Sequence, residues 1–223
     1  MSLSEGRSRY QWAYETFGGV EVGNRRRSRR VVAVAAGLAA RTAGRVTEVF
    51  SDSADREGAY RLLSNERVPS GALVHALGEA TARACAAHKK VYVAVDGSSL
   101  SLPDAKGARG LGGVGAWKDY GRGLHVVTAL ALDAEGHALG VAAQTWWSRD
   151  RPSPKKRCSR VKLAEKETRF MVSTAQDARA HLTAHCPVRR SSWCKTAALI
   201  AGRSFARPMT AITSLCEQKP IAV

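Results

Sequence analysis

The chain has 223 residues, enough for one good hydrophobic core or for a small domain plus part of a larger one. Its 44% apolar and 24% charged residues are ordinary, but 35 Lys and Arg against 19 Asp and Glu give +16 and a pI near 10.3, a field that attracts polyanions, nucleic acid first. No run approaches the ~20 apolar residues of a membrane span, no apolar segment carries a basic face suited to a bilayer surface, and the N-terminus lacks a signal-peptide core. The five scattered cysteines, without a Cys-x-x-Cys, read as reduced thiols in a cytoplasmic protein.

Residues 10–88 read as helical. Trp12, Ala13 and Phe17 are apolar anchors ahead of the basic run Arg25, Arg26, Arg27, Ser28, Arg29, Arg30. Val31 to Ala40 continues as a helix of small residues, with Gly44 as its stop. A second helix starts at Ser53 or Asp55, either able to cap it, and runs through Tyr60 and Leu63 to Asn65. Pro69-Ser70 opens a third, with Leu73, Val74, Leu77, Ala80, Ala84 and Cys85 on one face.

Strand signals follow. Val91 to Asp96 is a short buried strand with an acid at its end, a place where a sheet presents a metal-binding or acid/base carboxylate. Gly107 to Gly115 lacks the strand–helix context of a phosphate loop and reads as a flexible connection. Leu124 to Leu132, a turn at Asp133-Ala134-Glu135-Gly136, and Ala138 to Trp146 complete a predicted antiparallel meander. Trp146 and Trp147 read as core and sheet-edge packing, not as stacking platforms. Residues 148–162 form a basic loop carrying Lys155, Lys156, Arg157, Arg160 and Lys162, and Leu163 to His185 reads as a helix stopped by Pro187. His181, His185, Cys186 and Cys194 follow no common zinc spacing.

Charge is uneven along these elements. Residues 1–90 hold 15 basic and 9 acidic groups, residues 91–150 hold 5 and 6, and residues 151–223 hold 15 and 4. A neutral middle between basic flanks suits a catalytic core between DNA-gripping parts.

Several segments carry a family likeness in order: Trp12-Ala13…Phe17-Gly18-Gly19…Val22-Gly23-Asn24-Arg25-Arg26, Glu57-Gly58-Ala59-Tyr60-Arg61-Leu62-Leu63-Ser64-Asn65, and Asp96-Gly97-Ser98-Ser99-Leu100. Gly123-Leu124-His125-Val126-Val127, Gln144-Thr145-Trp146-Trp147 and Glu165-Lys166-Glu167-Thr168 continue it. Over roughly residues 10–170 the chain resembles bacterial cut-and-paste transposases of the acidic-triad (DDE) type, in the branch typified by the kanamycin-resistance transposon. The resemblance implies an α+β protein. An N-terminal helical domain binding transposon ends (1–88) would precede a partial ribonuclease-H-like core of β-meander plus helix (89–187). It implies two Mg²⁺ or Mn²⁺ ions held by two Asp and a Glu, one activating the nucleophile and one stabilising the leaving oxygen. Asp96 matches the first Asp, as catalytic residue and metal ligand.

The likeness fades after Glu167. No apolar strand ending in Asp-Arg-Glu-Ala-Asp and no Tyr-x-x-Arg-x-x-x-Glu box follows, and from Ala178 onward Glu217 is the one acid. Back-translation of Trp193 to Phe205, read from the third base of the Trp codon, permits Asp-x-x-Ala-Asp. The expectation is therefore a C-terminally truncated, frameshifted chain whose residues 188–223 are an out-of-frame, disordered or non-native tail. Such a chain would bind double-stranded transposon-end DNA without completing strand transfer. Alternatives are a regulator that occupies ends or pairs with intact transposase copies, a decayed product without a role, and a nuclease recruiting Asp104, Asp119 or Asp133. On the DNA-binding side, Arg25, Arg26, Arg27, Arg29 and Arg30 are expected at phosphates. Arg56, Tyr60, Arg61 and Asn65 are expected on a groove-facing helix, with Asn suited to adenine and Arg to guanine.

Overall fold

The structure is a computed structural model that describes residues 3–41, 45–104, 109–114, 121–149, 160–184 and 198–200. Gly44, Asp119, the loop lysines Lys155 and Lys156 with Arg157, and His185, Cys186 and Cys194 lie outside the described residues. Helices come first: α1 (Leu3–Phe17), α2 (Arg25–Ala40), α3 (Val46–Val49), α4 (Ser53–Leu63) and α5 (Ser70–Cys85). Then come β1 (Tyr92–Ser101), β2 (Gly112–Gly113), β3 (Arg122–Leu132), β4 (Ala138–Trp147), α6 (Arg160–Ala184) and β5 (Ala198–Ile200). The predicted class, helices followed by an antiparallel sheet and a helix, is the observed one.

The chain divides into two compact units, 1–80 and 81–223. The first is held by Ala13 and Phe17 of α1, Val31, Val32 and Val34 of α2, Ala59 and Leu62 of α4, and Ala76 of α5. Val20 and Val22, in the α1–α2 connection, close this core. Each such valine taken out of water contributes about 1.5–3 kcal/mol, which lets α2 form although its first three residues are arginines. Asn24 starts α2: its Oδ1 accepts from the Arg27 amide at 2.9 Å. The cap of α4 is Asp52, not the expected Ser53 or Asp55; one of its carboxylate oxygens accepts from the amides of Ala54 and Asp55 at 2.9 and 3.0 Å. An ionised acceptor at a helix's positive end outcompetes the serine hydroxyl next to it.

In the second unit β1 pairs antiparallel with β3, and β3 pairs antiparallel with β4, giving the predicted meander. β1 differs from expectation in length. It continues past Asp96 to Ser101, opposite Gly123 of β3, so Asp96 sits within the strand. The apolar run that announced the strand marks only its buried half; hydrogen bonding to β3 carries the exposed half.

β2 was expected to be loop. Its two glycines pair with Arg122 and Gly123, and a Cβ on Gly112 would overlap the Arg149 carbonyl. Glycine here serves close backbone approach, which resembles a loop signal in sequence. β5 was not expected either: it lies parallel to β1, with Val93 opposite Ala198 and Val95 opposite Ile200. It is the described part of residues 188–223.

One sheet face packs on α6. Val93, Val95, Val127, Ala129 and Ala131 meet Ala178 and Leu182 of α6, with Ala82 and Cys85 of α5. The Thr174 hydroxyl donates to the Phe170 carbonyl at 2.8 Å and shares a second hydrogen bond with the Thr145 hydroxyl at 2.7 Å, pinning α6 to β4. Trp147 stacks between Phe170 (4.3 Å) and His125 (5.4 Å) on this face, as core packing.

Candidate nucleic-acid interface

α2 and α4 enclose a groove of about 490 Å³ lined by Asn24, Arg26, Arg27, Arg30, Ala54, Glu57, Gly58, Arg61, Leu62 and Asn65. Four guanidinium groups line it against one carboxylate. Arg25, Arg26 and Arg27 occupy the positive end of α2, where each added cation costs about 0.3–1 kcal/mol at low salt. A fold that places three there concentrates a potential that a phosphate would relieve.

The arginines are not equivalent. Arg27 is half-buried; its Nη1 donates to the Val22 carbonyl at 2.9 Å, bracing the turn before α2. Gly23 in that turn has φ +90°, a conformation suited to glycine, and a Cβ there would approach Arg27 Nη1. Arg30 donates to Asp55 at 3.1 Å and lies across Gly58, where a Cβ would come within 2.6 Å of its guanidinium carbon. Gly58 thus costs α4 about 1 kcal/mol in propensity and supplies the space for Arg30. Arg25, Arg26 and Arg29 are exposed, and among the described residues no partner holds them.

On α4, Glu57 and Arg61 lie one turn apart and reach the groove; α4 ends at Leu63, so Asn65, expected on this helix, lines the groove from the turn just beyond it. Arg61 pairs with Glu57, and Asn65 Oδ1 caps the following turn through the Arg67 amide at 3.0 Å. Arg56 and Tyr60 each lie one residue earlier, about 100° round the helix, outside the groove lining. The structure therefore brings Arg26, Arg27, Arg30, Arg61 and Asn65 together and leaves Arg25, Arg29, Arg56 and Tyr60 on adjoining surface. Asn24 and Glu57 are lining residues that the sequence reading did not single out. The Asn24 signal was present, as a capping residue just before a helix.

Asp96 is exposed on the sheet face opposite α6, directly across from Thr128. Gln144 lies across from Thr128 on β4, and its Nε2 donates to Thr128 Oγ1 at 3.0 Å. The other acids considered have structural roles where they are described. Asp104 is buried and accepts from the amides of Arg109 (3.1 Å) and Leu111 (3.3 Å), with Arg122 at 3.8 Å. Asp133 ties the β3–β4 turn, accepting from the amides of Glu135 (3.0 Å) and His137 (2.7 Å) and meeting His137 Nδ1 at 2.9 Å. Partial burial pushes the Asp133 carboxyl up, but these bonds and the nearby imidazole outweigh it and hold the group below its ordinary value.

Among the described residues, the group of three potential metal ligands is Asp133, Glu135 and His137, at this turn; Asp96 is not part of it. The described donor set around Asp96 therefore does not by itself fit a pair of divalent cations. His181, from the discounted zinc set, places Nδ1 2.8 Å from the Ala142 carbonyl. Among the described residues no helix is long and apolar enough to cross a membrane.

Residues 9–68 match the family described as transposase DNA-binding. The match takes in the larger part of α1, all of α2, α3 and α4, and the arginine groove, and it supports a transposase-type DNA-binding domain in the first helical unit.

Proposed function

We propose that this chain grips the double-stranded ends of a transposon through the α2–α4 surface and presents, on β1, one carboxylate of an acidic-triad phosphodiester centre that it does not complete. The observation that carries the reading is the arginine-lined groove inside the matched residues 9–68. Arg25, Arg26 and Arg29 position the duplex through phosphates; Arg61 and Asn65 reach base edges. Asp96 is the first Asp of the ribonuclease-H-like core, and the order β4–β3–β1–β5, with β5 parallel to β1, supports that core. Incompleteness is supported by the sequence, in which Glu217 is the one acid from Ala178 onward. When bound, Mg²⁺ or Mn²⁺ would supply nucleophile activation and leaving-group stabilisation in the intact centre.

The test is a labelled transposon-end duplex with Mg²⁺ or Mn²⁺, scored for binding and for nicking. Binding stronger than to a random duplex, without nicking, is expected. Nicking abolished by Asp96→Ala would overturn the incomplete-centre reading, and equal affinity for random duplex would overturn end recognition.

A further inference from the structure

Trp146 is 44% exposed, whereas its neighbour Trp147 sits in the α6-side stack. Strand alternation and register place Trp146 on the Asp96 face. Asp96, Thr128 and Gln144 form one cross-strand row, and Ser98, Val126 and Trp146 form the next. The indole is held in place. Its Nε1 donates to Gln144 Oε1 at 2.8 Å, and Gln144 Nε2 donates to Thr128 Oγ1 at 3.0 Å. Strand spacing and rise put Asp96 and Trp146 roughly 12 Å apart, a short walk along a nucleic-acid strand.

A large aromatic ring left in water loses the benefit of burial, and this one is fixed by two hydrogen bonds in series. The helical unit matches a DNA-binding family, and the flat apolar part of a DNA strand is its bases, so the occupant of matching chemistry for an exposed indole is a nucleobase.

We infer that Trp146 is a stacking platform for an unpaired base of a DNA strand lying across the Asp96 face, with Gln144 fixing its ring. It is a positioning residue, and the inference rests on the reading of the chain as a DNA-end binder. The full chain is titrated in metal-free buffer with a blunt duplex and with the same duplex bearing a short single-stranded dT 3′ overhang. The overhang is expected to tighten binding about 5- to 140-fold, the worth of one stacked base. Trp146→Ala removes that gain and leaves blunt-duplex affinity unchanged. Trp146→Phe keeps most of it, and Gln144→Leu lowers it by freeing the ring.

An overhang gain that is absent from the wild type, or undiminished in Trp146→Ala, overturns the inference while the blunt-duplex arm still supports end binding. No blunt-duplex binding at all overturns the underlying reading instead. A Trp146→Ala effect on sedimentation but not on overhang preference assigns the face to a second copy of the chain and likewise overturns it.

Discussion

Neutralising Arg25, Arg26 and Arg29 together, as glutamines, separates phosphate grip from fold. These three are exposed and, among the described residues, unpaired, so their removal leaves the described hydrogen bonds of the helical unit intact. If each meets one phosphate, the slope of log affinity against log salt falls by about 0.9 per contact, about 2.7 in all. Between about 50 and 200 mM salt the wild type then loses about forty-fold more affinity than the triple variant. Arg27→Gln is the contrast. Its Nη1 bond to the Val22 carbonyl, at 2.9 Å, braces the turn at Gly23. Losing it costs about 1–2 kcal/mol of stability and leaves the salt slope nearly intact. Fluorescence anisotropy on one duplex across a salt series, with thermal melts of each variant, reads both effects. An unchanged slope in the triple variant refutes the phosphate assignment. A flattened slope with an unchanged melt in Arg27→Gln refutes the division of labour among the arginines.

Asp52→Ala removes both side-chain bonds at the start of α4 and costs about 1 kcal/mol, seen as a lower melting temperature, whereas Ser53→Ala is nearly neutral; the reverse ranking would place the cap where the sequence had put it. Asp133 gives a pH signature. Because its folded-state pKa lies below the ordinary 3.8, its stabilisation is fully present above that value and is lost as pH falls through the depressed folded pKa. Asp133→Asn should therefore flatten the acid limb of the stability curve of the sheet unit, and an unaltered acid limb would count against the turn's dependence on this carboxylate.

Helix and strand existence was legible because it rests on local patterns. The small apolar residues of α2, the one-sided face of α5 and the alternation in β3 each encode which side is buried. Elements held by partners distant in sequence were not legible. β2 is two glycines whose pairing depends on Arg122 and Gly123, and β5 is three residues whose place depends on β1. The outer half of β1 reads as polar loop because its stabilisation comes from ladder hydrogen bonds to β3, not from burial. Among the candidate residues, the basic run was visible as composition, yet the different tasks of Arg25, Arg27 and Arg30 were not, since Val22 and Asp55 become their neighbours only on folding.

The sequence by itself determined the charge, the succession of helices and then strands, and an acid following an apolar strand run, because composition and periodicity are local quantities. Tertiary structure alone decided which arginines face a common groove, which tryptophan is core and which is surface, and what stands beside Asp96. Those are relations between residues far apart in the chain, fixed by packing and strand register.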